Sequence, residues 1–213
     1  SENLVVETSH VRALYPERRS TVSRSLDRPG EGCLKRMAVS GVHRAASIRP
    51  HLTAEEEMNS EYDSSLLRTV HLVPLTAYDA DGQINVPVQA AHITSMYAAG
   101  MRVYLPAAGT SEFQSLSADE VVELVRITRE ASGPDAQIFA PVGLQVGHAV
   151  EIGQRSMEAG ADGIMFMPFV HPYMSDSGAR DYYLEVINAV EAPTLVYRKG
   201  PIPTDDLLLE LAD

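Results

Sequence analysis

Tryptophan is absent from the chain and cysteine occurs once, at Cys33. A single thiol cannot close an internal disulfide and does not make a metal cluster, so the expected compartment is a reducing cytoplasm, with no metal and no cofactor. Long apolar runs are missing as well. None approaches the roughly 18 residues that a membrane helix needs, and the opening SENLVVETSH lacks a charged segment leading into an apolar core, so secretion is not expected. Positive charge is scarce: 17 Lys plus Arg stand against 29 Asp plus Glu, a formal net charge of -12. That sign repels nucleic acid and anionic membrane surfaces, but a local pocket can still oppose it and take a small anion. Lysine itself occurs only at Lys35 and Lys199.

What is present divides in two. Residues 1–50 hold nine basic against five acidic residues, a net of +4, which leaves -16 for the remainder. Rich in Arg and Ser and without sustained periodicity, residues 1–65 read as an irregular basic arm, and residues 66–213 as the folded body. In the body a rhythm sets in. Apolar runs at 70–76 (VHLVPLT), 102–107 (RVYLPA), 137–142, 162–167 and 193–197 read as strands. Each is followed by a stretch with helical spacing: 86–100 ending at Gly100, 117–131, 148–160 ending at Gly160, 178–190, and a last helix after Thr204. Ser117 with Glu120 three residues on has the spacing of a capping box. Strands apolar throughout and alternating with amphipathic helices predict parallel βα units covered on both faces, either a barrel or a doubly wound sheet. No GxGxxG or GxxxxGK(S/T) follows any of these strands, which disfavours a nucleotide-binding sheet. In a barrel the chemistry lies at the carboxyl ends of the strands, where AAGTSEF, GLQVGH, PFVHPYM and YRKGP fall.

These loops carry a resemblance. Thr76, Tyr78, Asp79, Asp81 and Gly82, then Gly109 to Phe113 with Leu116 to Glu120, then Val142 and Gly143, Glu158 to Met165, Pro168, and Val196 with Tyr197 follow one another in a recognisable order. The pattern over residues 70–213 resembles the dihydrodipicolinate synthase and N-acetylneuraminate lyase family. The resemblance implies a (β/α)8 TIM-barrel fold, here with only about five βα units. It also implies a lyase that cleaves, condenses or dehydrates 2-keto acids through a Schiff base with a pyruvate-like substrate, working as a homo-oligomer. It further implies that Thr110, with Gly109, Ser111 and neighbouring backbone N–H groups, holds the substrate carboxylate and that Tyr197 shuttles protons. Arg198, beside Lys199, is a candidate cation from an adjacent position rather than one the resemblance supplies. The residue types suit those roles, since hydrogen-bond donors neutralise a carboxylate and a phenol beside an amine can relay its proton. Taken alone, Gly109 and Ser111 are equally turn residues, Tyr197 a core aromatic, and Arg198 with Lys199 a solvated pair.

The departures narrow the reading. Ala108 to Glu112 stand where the family has Gly-Thr-Thr-Gly-Glu, and the Gly-Gly-Thr-Gly-Glu of the sugar-acid dehydratase branch is the better match. Ile202 occupies the place of the synthases' arginine, and Val170 that of a tyrosine, with Tyr173 and His171 nearby. The family's Schiff-base lysine lies on a sixth strand, whereas this sequence ends 16 residues beyond Tyr197. Five parallel strands leave an open edge, to be covered by further strands, by the arm or by a second copy. The alternative to a lyase is a noncatalytic homologue that binds a keto acid or assembles with a catalytic relative.

Overall fold

A computed structural model describes residues 64–168 and 174–212. The arm with Cys33 and Lys35 lies outside the described residues, as do Val170, His171 and Tyr173. Five strands, β1 His71–Leu72, β2 Val103–Tyr104, β3 Gln137–Val142, β4 Gly163–Phe166 and β5 Thr194–Val196, form one sheet. Every pairing is parallel and the spatial order is the chain order, β1 to β5. A doubly wound sheet reverses its order at a switch point and this one does not, so the fold is of the (β/α) barrel type. Helices α1 Val86–Ala98, α2 Ala118–Ala131, α3 Val146–Glu158, α4 Asp176–Val190 and α5 Asp205–Ala212 follow the strands in turn. Each of the first four packs on the next around the sheet. Among the described residues no helix is long and apolar enough to cross a membrane.

Local chemistry accounts for the boundaries. Ser117 caps α2, and Glu120 returns a bond to the Ser117 amide at 2.8 Å, which completes the capping box. Thr204 Oγ1 accepts from the Leu207 amide at the start of α5. Helix α3 begins two residues earlier than the sequence suggests, at Val146, with Gln145 giving no side-chain cap. The turn after α3 needs a left-handed residue, and Gly160 supplies φ +102°.

Strands β1, β2 and β4 stop short of their apolar runs, at Leu72, Tyr104 and Phe166, and proline is the reason, whereas β3 keeps its expected bounds, Gln137–Val142. Alternate residues of a parallel strand bond to alternate neighbours. Leu72 accepts from Leu105 of the β2 run, Arg102 from Gln137, and Phe166 from Tyr197. By the same alternation the nitrogens of Pro74, Pro106, Pro141 and Pro168 stand where donors would extend these ladders toward β2, β3, β2 and β5. A proline has no N–H, so pairing stops there. Pro141 is tolerated inside β3 because its nitrogen faces the side on which β2 has already ended, while its register with Met165 of β4 is kept.

The amino end is closed differently. Arg129 of α2 donates to the carbonyl oxygens of Gly160 at 2.8 Å and Ala136 at 3.2 Å, and pairs with Asp162. Asp162 in turn accepts from the Ile138 amide at 2.9 Å. Beside it, a Cβ on Gly163 would fall 2.3 Å from the Pro193 carbonyl, so only glycine fits where β4 passes β5. Further along β4, Phe166 meets Tyr183 edge to face at 4.7 Å and Tyr182 at 5.9 Å, which locks α4 to the sheet.

Two outcomes follow. Arg129→Ala strips the fork from three acceptors and leaves Asp162, mostly buried, without its counter-charge; urea unfolding should show a loss of about 2–4 kcal/mol with an unchanged m value. Burial pushes the Tyr183 phenol up to about 12, and raises Tyr182 as well through burial and its neighbour Tyr183. The folded chain keeps a proton that the unfolded chain loses above pH ~10, so stability is constant below that pH and falls as pH rises toward 12. Tyr183→Phe should flatten that fall by up to about 2–3 kcal/mol in denaturation curves taken between the two pH values.

Candidate active site

Where the ladders stop, a cavity of about 630 Å3 opens at the carboxyl ends of the strands. Its apolar wall includes Val73, Leu105, Met165, Met167 and Leu195. Its polar lining is His71 from β1, Thr110 and Gln114 from the loop after β2, and Tyr197, Arg198 and Lys199 from the end of β5. Among the described residues no carboxylate lines it, although the chain as a whole carries a net charge of -12.

The loop after β2 is built from two turns of 3-10 helix, Gly109–Ser111 and Phe113–Ser115, with Glu112 between them. Ser111 and Glu112 donate their amides to Ala108 and Gly109 at 2.8 and 3.2 Å, within the turn. The first two amides, of Gly109 and Thr110, have no acceptor inside the turn, as at the start of any helical segment. Both residues are exposed and line the cavity, so these amides and the Thr110 hydroxyl are the donors the loop can offer a ligand. Ala107 at φ 60°, Glu112 at φ 69° and, after β3, Leu144 at φ 65° are left-handed without being glycine. That conformation costs on the order of 1 kcal/mol at each position, so the packing around these loops over-determines their path.

Gly109, Thr110, Tyr197 and Arg198 are brought to one cavity. Ser111 is not, which corrects its sequence assignment as a substrate-binding residue. Its side chain is fully buried and outside the lining, and its hydroxyl donates to the carbonyl of Pro74. Thr76 Oγ1 donates back to the Ser111 carbonyl at 2.9 Å. The pair staples the end of β1 to the loop after β2, at the point where Pro74 has removed a backbone donor. Arg198 lines the cavity but also pairs with Asp205 in the first turn of α5. Tyr197 is 39% exposed, so it is not the core aromatic that the sequence leaves open. Lys199 is exposed on the loop after β5.

Sequence reasoning missed His71 and Gln114. The run 70–76 reads as a uniformly apolar strand, and its one imidazole gives no sign of which face it takes. Gln114 falls in the gap between the matched residues Phe113 and Leu116, where no motif marks it.

The model of the dihydrodipicolinate synthetase family matches residues 66–210. Among curated relatives, a protein named probable 5-dehydro-4-deoxyglucarate dehydratase 1 from Streptomyces coelicolor is 32% identical over 143 residues, covering 65% of this chain and 44% of the relative. Among solved structures, a dihydrodipicolinate synthase from Bacillus clausii superposes with a TM-score of 0.65 at 33% identity, over 70% of this chain and 50% of that one. A prophage protein of the dihydrodipicolinic acid synthase family from E. coli K12, solved with pyruvate, gives a TM-score of 0.56 at 25% identity, over 61% and 44%. The chain thus spans about half the length of the relatives it matches.

Ser111→Ala tests the staple. Loss of the hydroxyl leaves the Pro74 carbonyl without its partner and should cost about 1–3 kcal/mol in thermal or urea unfolding. Ligand affinity should stay unchanged, because the hydroxyl does not reach the cavity.

Proposed function

The chain belongs to the dihydrodipicolinate synthetase family, and on that premise we propose that it acts on 2-keto acids as a lyase of the dehydratase type. One observation carries the reading: a cavity lined, among the described residues, by cations and hydrogen-bond donors and by no carboxylate, in a strongly acidic chain. Such a wall fits an anion. The amides of Gly109 and Thr110 with the Thr110 hydroxyl hold the keto acid's carboxylate. Arg198 and Lys199 balance its charge from the other side. A guanidinium has five N–H donors, so the bond to Asp205 leaves others for the ligand. Tyr197, at the end of β5, moves the proton to and from the reacting centre. The printed names of the curated relatives, dehydratases of a keto-deoxy sugar acid, and the pyruvate bound by one structural neighbour support the same substrate class.

The finer step is a Schiff base. An amine attacks the keto carbon, water leaves, and the imine withdraws electrons from the adjacent carbon. An amine of that kind is sheltered from water, whereas Lys199 is exposed and sits on a loop. The five described strands therefore supply the carboxylate-binding and proton-moving part of the site, and Lys199 is not its nucleophile.

Two measurements test these statements. Thr110→Val keeps the shape and removes a donor, so pyruvate affinity by calorimetry should fall about tenfold with little change in the thermal midpoint. If the unaltered chain binds no pyruvate, the keto acid reading is wrong. Incubation of the 213-residue chain with pyruvate and borohydride should leave no stable adduct in the mass spectrum. An adduct that disappears in Lys199→Met would move the nucleophile to the loop after β5.

A further inference from the structure

The polar groups assigned so far come from the loops after β2 and β5. His71 comes from elsewhere, at the start of β1, level with Val103 of β2. Its side chain is half-buried, and Nε2 lies 2.8 Å from the carbonyl oxygen of Leu67, the last residue of the 3-10 turn Ser64–Leu67. A carbonyl has no proton to give, so Nε2 carries the hydrogen. In the neutral ring that fixes the tautomer and leaves Nδ1 as a bare acceptor. Val73, Leu105, Met165 and Leu195 line the same cavity as His71. An acceptor in such largely apolar surroundings favours a ligand that brings a donor.

We propose that His71 is a specificity-determining residue of the cavity, its Nδ1 accepting a hydrogen bond from a chain hydroxyl of a polyhydroxylated 2-keto acid whose carboxylate sits at Thr110. The inference rests on the keto acid reading and adds to it the class of side chain the ligand carries. A keto acid without chain hydroxyls makes no use of this contact. The contact with Leu67 holds the ring, so the acceptor is positioned before the ligand arrives and loses little freedom on binding.

Two substitutions separate the ligand contact from a structural tether. Gln in place of His71 can keep the bond to Leu67 but sets no acceptor at the Nδ1 position. Asn offers an oxygen near Nδ1 and gives up Leu67. Calorimetric titration of the full chain with 2-keto-3-deoxygluconate and with pyruvate, beside a thermal midpoint for each variant, reads the difference. His71→Gln should weaken the hydroxylated acid about tenfold and leave pyruvate within about twofold. His71→Asn should lower the midpoint yet bind the hydroxylated acid better than His71→Gln does. Equal effects of His71→Gln on both acids, or none on either, would overturn the inference, as would affinity losses that simply follow the midpoint. If pyruvate fails to bind the unaltered chain, the keto acid reading falls first and His71 with it. If pyruvate binds and no discrimination appears, this inference falls alone.

Discussion

Backbone pairing in this sheet ends where proline ends it. Pro74, Pro106, Pro141 and Pro168 each lie at the carboxyl end of a strand, with the nitrogen toward the neighbour it would otherwise bond. Between β1 and β2 that end of the barrel therefore has to be held by something other than a ladder. The Ser111 hydroxyl on Pro74 and the Thr76 hydroxyl on Ser111 are that substitute between β1 and β2. At the amino end Arg129 and Asp162 tie α2, β3 and the start of β4 through half-buried, charge-assisted bonds. One end of each strand serves stability and the other is released for binding, the division that barrel enzymes share.

That release gives the cavity its electrostatic character. Among the acids of the body, Asp119, Glu120, Asp205 and Asp206 lie in helix first turns, where they favour the helix dipoles. No carboxylate among the described residues lines the cavity, whereas Arg198 and Lys199 do, although the chain is an anion overall. Asp205 does touch this balance from outside. By pairing with Arg198 it offsets part of the guanidinium's charge where Arg198 lines the cavity. The acidic exterior sets a cost on approach for any anion.

The sequence was most legible where a local rule has one physical cause. The capping box at Ser117, the Thr204 cap, the glycine stops and the five parallel βα units could all be read from spacing, because each depends on a few neighbouring residues. Strand length was less legible, since an apolar run says nothing of which side a proline nitrogen faces. Thr110 and Ser111 show the limit most clearly. They are adjacent and both hydroxylic, yet a 3-10 turn advances about 120° per residue, so one side chain lines the cavity and the next is fully buried under Pro74. No pattern of residue types distinguishes the two until the turn itself is known.

His71 was hidden for a related reason. A strand with one wet face advertises its parity, because polar and apolar residues alternate along it. A barrel strand has helices against one face and the barrel interior against the other, so both faces are apolar and the alternation vanishes. Its single polar residue then has two equally plausible fates: a partner among the helices, or a place inside the barrel. Pairing decides between them. His71 stands level with Val103 and shares its face with Val73, two residues on, and both His71 and Val73 line the cavity. The imidazole is thus directed by the same period of two that put Pro74, the residue after Val73, with its nitrogen toward β2. The proline that ends the ladder and the histidine that lines the floor are two readings of one strand register.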